Sequence, residues 1–135
     1  MGCGAMGKKY ESAAAHAADC ASLDPSLLDA LWASYAGKLD QDGVIDRKEL
    51  ALLLKDYATC KRKVLKDKLD NEDVMVTFAA MAELGKNNEH YAGVMFKVLD
   101  TDKSGSLSQN EFNKKFAKTL DKVIEKVKQE KIRKH

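Results

Sequence analysis

Apolar residues recur along this chain at intervals of three and four positions, the spacing of one buried face of an α-helix. No stretch alternates apolar and polar residues over the length of a strand, and none approaches the about 18 apolar residues of a membrane-spanning helix. Pro25 follows Asp24, a good N-cap, and therefore suits the first position of a helix. The pattern predicts an all-α fold with helices at Tyr10 to Ala21, Pro25 to Gly37, Arg47 to Leu65, Glu72 to Leu84, Glu89 to Val98 and Gln109 to Arg133, the last with a break near Thr119 as an alternative.

A polar segment of twelve residues, DTDKSGSLSQNE, separates the last two predicted helices. Calcium in a loop of this length takes oxygen ligands from positions 1, 3, 5, 7, 9 and 12, with Gly at position 6 and a bidentate Glu at the end. Gly105 stands at position 6. The predicted Ca²⁺ ligands are Asp100, Asp102, Ser104, the carbonyl of Ser106, Ser108 acting through water, and Glu111. The alternative is an acidic turn that binds no ion.

On these residues and the apolar helical faces beside them, the chain resembles the EF-hand calcium-binding superfamily from about Leu23 to about Thr119. The faces consist of Tyr91, Met95, Phe96 and Leu99 before the loop, and Phe112, Phe116 and Leu120 after it. EF-hands work in pairs, so the resemblance implies a paired helix-loop-helix domain. It also implies that Leu107, at position 8, contacts its counterpart in a second loop through a short antiparallel strand contact.

The partner hand implied by this resemblance is residues 27–57. Two alignments of its loop are open. A twelve-residue loop begins at Lys38, which places an ammonium where the first carboxylate belongs. A loop that begins at Asp40 lacks two residues around position 5, but it fits the apolar positions of the entering helix better. Since one alignment lacks a carboxylate ligand and the other lacks the loop geometry that calcium requires, we expect a weakly occupied or empty loop. The remaining ligand candidates are Asp40, Asp42, Asp46 and Glu49.

Residues 59–86 make the connection between the two hands longer than in the commonest tandem pairs. We expect a linking helix pair that packs across the calcium module, and the alternative is a third hand that kept its helices and lost its loop. Its second helix either packs in the core or lines a groove that calcium opens. The apolar residues concerned are Met75, Val76, Phe78, Ala79 and Met81.

The N-terminus resembles that of dually acylated proteins, in which Gly2 receives myristate and Cys3 receives palmitate. Two acyl chains give durable membrane binding, whereas one gives only marginal binding. Met6 departs from this motif, which has Ser or Thr at position 6. The alternative is a short tail of small residues. No secretory signal is apparent, so we expect an intracellular protein whose three cysteines are reduced.

Charge is concentrated at the C-terminus. Residues 113–135 contain nine Lys and Arg against three Asp and Glu, a net charge of +6 in a chain whose total is +2. This segment predicts a basic amphipathic helix that either binds an anionic membrane or acidic partner, or packs its apolar stripe on the EF-hand pair. Nucleic-acid binding is not expected, because the segment lacks interleaved aromatic residues.

Together these features predict an N-terminal tail with a short helix (residues 1–22), an EF-hand pair with an extended connector (23–119) and a basic helical tail (120–135). We expect a non-enzymatic, cytoplasmic Ca²⁺ sensor, at the inner face of a plasma or flagellar membrane if acylated, that acts on a membrane or protein target. Its plan of an MGC start followed by EF-hands is similar to that of acylated calcium sensors such as the calflagins and the calcineurin B-like proteins. The alternative is a scaffold or buffer in which calcium only stabilises one loop.

Overall fold

The computed structural model describes residues 12–20, 22–38 and 43–133, and these form six α-helices and a 3₁₀ turn at Lys66–Lys68. The all-α prediction is confirmed. The predicted and observed helices agree to within a few residues at their ends. The helices are α1 (Ala13–Ala18), α2 (Pro25–Tyr35), α3 (Arg47–Leu65), α4 (Glu72–Lys86), α5 (Asn88–Leu99) and α6 (Gln109–Arg133).

Polar side chains fix where the helices begin. The Asp24 carboxylate accepts a hydrogen bond from the Leu27 N–H at 2.8 Å, with Pro25 in the first turn of α2. At the start of α3, Asp46 and Glu49 form a reciprocal capping box, with bonds of 2.9 and 3.0 Å. These caps satisfy backbone N–H groups that have no partner within the helix.

The core lies between the two helix-loop-helix units. Ile45 and Leu107, one from each loop, are fully buried and form an isolated antiparallel bridge. The Leu107 N–H donates to the Ile45 carbonyl at 2.7 Å, and the Ile45 N–H donates to the Leu107 carbonyl at 3.2 Å. This bridge holds the two loops side by side, in the manner that the family resemblance implies.

Aromatic rings join the two units below this bridge. The Phe112 and Phe116 rings stack with centroids 4.5 Å apart, and the Trp32 ring lies 5.8 Å from that of Phe112. The first turn of α6 therefore rests against α2. Further fully buried residues complete this core, among them Leu31, Leu50, Leu53, Leu54, Met81, Leu84, Met95 and Leu99.

Helix α6 continues without interruption through Thr119 to Arg133, so the alternative of a break near Thr119 is wrong. Its C-terminal half packs Leu120, Val123 and Val127 into the core. Of the two alternatives for the tail, the structure therefore shows the packed apolar stripe. The lysines of this helix are not part of the packed apolar stripe.

The connector, residues 59–86, comprises the C-terminal part of α3, the 3₁₀ turn and α4. In α4, Met81 and Leu84 are fully buried, whereas Met75 is 55% exposed. Val76 and Ala79 line a groove with Ile132 near the end of α6. The second helix of the connector is thus core on one face and surface on the other.

Helix α1 packs its alanines Ala14, Ala17 and Ala18 against the rest of the core. The Lys61 ammonium donates to the Ala18 carbonyl at 3.0 Å, and burial lowers the pKa of this lysine. Cys60 is half-buried. Cys20 is disulfide-bonded, so the expectation of reduced cysteines is wrong for this residue.

Within the described ranges, no helix combines the length and apolar character needed to cross a membrane. Gly2 and Cys3 lie outside the described residues.

Candidate calcium site

Three carboxylates converge at the loop between α5 and α6. Asp100, Asp102 and Glu111 each offer an oxygen, and these oxygens all lie within 4.8 Å of one another. Calcium binds oxygen at about 2.3–2.6 Å, so ligands on opposite sides of the ion are about 4.6–5.2 Å apart. The carboxylate cluster fits Ca²⁺ both in its spacing and in its hard oxygen donors.

The loop is arranged around the first carboxylate. Asp100 accepts hydrogen bonds from the N–H groups of Ser104, at 3.1 Å, and Gly105, at 2.9 Å. Gly105 has a φ of +88°, a left-handed conformation that glycine adopts without strain. Glycine at position 6 therefore allows the loop to fold back over Asp100.

Serine residues occupy the remaining ligand positions, through side chains at Ser104 and Ser108 and through the backbone carbonyl at Ser106. The Ser104 hydroxyl lies 3.3 Å from an Asp100 oxygen and 2.9 Å from the Ser106 carbonyl. Hydrogen bonding, with the Ser104 side chain as the largest cause, lowers the pKa of Asp102 below its usual value. The described loop thus brings Asp100, Asp102, Ser104 and Ser106 into one hydrogen-bonded group.

The closing ligand, Glu111, also caps α6. Its Oε1 accepts the Ser108 N–H at 3.0 Å, and the Ser108 hydroxyl accepts the Glu111 N–H at 3.2 Å. Its Oε2 accepts the Thr101 hydroxyl at 3.0 Å. Bidentate binding of an ion by Glu111 competes directly with the bond from Thr101. The carboxylate therefore links the end of α5 to the start of α6.

The first loop is only partly described, because Asp40 and Asp42 lie outside the described residues. Its other two candidates, Asp46 and Glu49, cap α3, and Glu49 is fully buried. The Gly37 N–H donates to the Val44 carbonyl at 2.9 Å, which closes the loop across its base.

Burial of α2 favours the alignment that begins at Asp40. That alignment places apolar positions at Leu31 and Tyr35, which are buried, and at Ala36, which is half-buried. The alignment that begins at Lys38 requires apolar residues where Asp29, Ala33 and Ser34 are exposed. The Lys38 ammonium instead lies 5.8 Å from the centroid of the Tyr35 ring.

Comparison with protein families matches two parts of the chain. A family model described as an EF-hand domain pair matches residues 66–114, and one described as an EF hand matches residues 39–54. The chain carries EF-hand domains. Because these are calcium-binding modules, the cofactor is Ca²⁺ and this is a calcium-binding protein. Searches of curated proteins and of solved structures found no match.

The family match and the three-dimensional structure pair different parts of the chain. The matched pair begins at residue 66, in the connector, whereas loop 100–111 pairs in space with the loop before α3. This match favours the alternative that the connector is a third hand without a working loop. In the part of the chain that the structure describes, the only carboxylate cluster with metal-binding spacing is Asp100, Asp102 and Glu111.

Two residues that make polar contacts at this site were not predicted from the sequence. Asp29 of α2 accepts hydrogen bonds from Gln109 at 3.2 Å and Asn113 at 2.8 Å. These residues are 80 and 84 positions away, and no local pattern signals the contact. The second is Thr101, whose hydroxyl holds Glu111 from a non-ligand position of the loop.

Proposed function

We propose that this protein is an intracellular Ca²⁺ sensor that couples ion binding to association with a membrane or a protein target. The observation that carries the proposal is the placement of the ligands at the ends of two different helices. Asp100 and Asp102 follow the last residue of α5, whereas Glu111 lies in the first turn of α6. An ion shared by these carboxylates biases the angle between the two helices.

Trp32 provides a test of this coupling, since it is the chain's single tryptophan and its ring lies 5.8 Å from Phe112 at the start of α6. We expect Ca²⁺ to change the Trp32 emission, and expect Glu111→Gln to abolish that change. Glu125→Gln on the same helix is the matched control, because its side chain is 63% exposed and lies outside the loop.

A scaffold or buffer gives a different result in the same titration. If calorimetry shows Ca²⁺ binding while Trp32 emission and hydrophobic-dye binding stay constant, the ion only stabilises its loop. That outcome overturns the sensor proposal and leaves calcium binding intact.

We further propose that acylation of Gly2 and Cys3 places the protein at the inner face of a membrane. Two acyl chains support durable binding, and the basic residues Lys8 and Lys9 add attraction to anionic lipid. In native cells, Gly2→Ala should move the protein to the soluble fraction. Palmitoylation requires a reduced Cys3 thiol, and mass spectrometry with and without reductant tests whether Cys3 carries palmitate or is part of a disulfide. Unchanged membrane association of Gly2→Ala contradicts the proposal.

A further inference from the structure

We propose that the groove between α5 and α6 is a docking site for an acidic amphipathic helix of a partner protein. The groove has a volume of about 530 Å³. Its walls are the two helices that flank the calcium loop. The calcium linkage of this site rests on the proposed sensor function, whereas the docking itself rests on the chemistry of the groove.

One side of the groove is strongly basic. Five lysines of α6 line it, and no acidic residue does. Among the described residues none of the five has an ion-pair partner, unlike Lys128 and Lys131, which reach Asp73 and Glu83 at 3.2 and 3.3 Å. The groove lysines are Lys114, Lys115, Lys118, Lys122 and Lys126.

Two acidic residues in the middle of the same helix, Asp121 and Glu125, do not line the groove. Asp121 lies close enough to Tyr57 to contribute, after burial, to raising the pKa of that tyrosine to about 12. Glu125 lies 3.9 Å from Lys128. Like charges three and four positions apart on a helix destabilise it, so an external polyanion at this row relieves repulsion within α6.

The floor of the groove is apolar. Val94 and Val98, one helical turn apart on α5, are 42% and 51% exposed, and Val123 of α6 lies beside them. Exposed β-branched residues next to a row of unpaired lysines provide both an apolar surface and an anion-binding edge. This combination matches a ligand with an apolar face and a carboxylate face.

The shape of the groove favours a helix over a bilayer. The lysine row extends over twelve residue steps of α6, about 18 Å at the rise of an α-helix, and this length accommodates about three turns of a second helix. The valines lie in the groove between the two helices, so a rod-shaped ligand seated in the groove contacts them. Helix-in-groove binding uses apolar anchors at spacings of three and four residues.

The test uses a fluorescein-labelled synthetic peptide of about 14 residues, with Leu on one helical face and Glu on the other. The control peptide carries Lys in place of every Glu. We expect fluorescence anisotropy to detect binding of the acidic peptide only, with affinity that falls as NaCl is raised from about 50 to about 300 mM. Binding of both peptides equally overturns the proposed charge recognition.

Two sets of protein variants locate the peptide. Replacement of Lys115, Lys118 and Lys122 together by Gln should weaken binding about tenfold. The matched control replaces the exposed Lys66, Lys68 and Lys86 by Gln and should leave binding unchanged. Val98→Asp should also weaken binding, because it places a carboxylate on the apolar floor. Equal losses in the groove and control triples contradict the proposal.

Peptide binding measured with Ca²⁺ and with a chelator distinguishes the docking site from the proposed sensor function. Tighter peptide binding with Ca²⁺ supports both. Equal binding in the two conditions supports the groove and contradicts calcium coupling. If the acidic peptide does not bind while vesicles of phosphatidylserine and phosphatidylcholine bind through the same lysines, the proposed peptide occupant is wrong and the ligand is a lipid surface.

Discussion

At the scale of single residues, the closing glutamates of the two loops are in different environments. Glu49 is fully buried and forms a complete capping box with Asp46, whereas Glu111 is partly exposed and shares its oxygens between Ser108 and Thr101. A carboxylate near the surface is freer to rotate toward an ion than a buried one. This difference agrees with the interpretation that loop 100–111 is the stronger site.

The negative charge of Glu83 contributes to the stability of the folded protein. The hydrogen bond from Lys131, at 3.3 Å, is the largest cause that lowers the pKa of Glu83, and Asn87 adds a bond of 2.6 Å. A carboxylate whose pKa is lower in the folded state stabilises the protein above its unfolded pKa of about 4.3. That contribution is lost as the pH falls through the folded pKa.

We therefore expect Lys131→Gln to reduce the free energy of unfolding at pH 7 by about 0.5–1 kcal/mol, since both partners are partly exposed. The difference from the unmodified protein should shrink as the pH is lowered below about 4.3. Urea unfolding across this range measures it. Lys66→Gln, at an exposed lysine outside the lysine row of α6, is the control. A Lys131→Gln effect that is independent of pH would show that the ion pair is not the cause.

At the scale of helices and loops, the Ile45–Leu107 bridge connects the two hands. Both residues are fully buried, and the two backbone hydrogen bonds between them fix the loops in register. Loop 100–111 is therefore supported by its partner even if that partner binds no ion. The first loop contributes to the calcium site through packing.

This role of the first loop predicts the effect of Ile45→Ala. The substitution should lower the free energy of unfolding by about 2–5 kcal/mol and weaken Ca²⁺ binding at loop 100–111. Ile132→Ala deletes the same atoms at a side chain that is 50% exposed, and its effect should stay within about 0.5 kcal/mol. Urea unfolding and calorimetry measure the two quantities. Unchanged Ca²⁺ affinity in Ile45→Ala would refute the coupling between loops.

The helices of this chain were predictable because their signals are local. Asp24 before Pro25, the Asp46 and Glu49 box, and apolar residues at helical spacing all lie within a few positions of the structure that they specify. The pairing of Leu107 across the loops followed from family resemblance. The packing of α6 could not be predicted. The sequence of a basic amphipathic helix is compatible both with an apolar stripe packed on the core and with one that binds a membrane or a partner.

Contacts between distant parts of the chain were likewise not predictable. Asp29 with Asn113, and Lys131 with Glu83, join residues 84 and 48 positions apart. The groove between α5 and α6 depends on which face of α6 is buried. Its lysines were visible as a charge excess, but their alignment beside Val94 and Val98 required the fold.

At the scale of the whole molecule, the carboxylate cluster of loop 100–111 lies between helices that extend from it to distant surfaces. Helix α5 leads from the cluster to α4, and α6 extends over 25 residues from the cluster to the Lys131–Glu83 contact. In the proposed sensor function, a change in angle at the loop moves both walls of the α5–α6 groove. This geometry is the physical basis of the proposed sensor function.

A calcium titration followed by amide NMR tests this account most directly. One equivalent of Ca²⁺ should saturate the amides of loop 100–111 and also shift those of Val94 and Thr119 along the groove. Glu111→Gln should abolish these changes, since it removes one of the oxygens that bind the ion. Shifts confined to the loop, or two equally tight sites, would contradict the account.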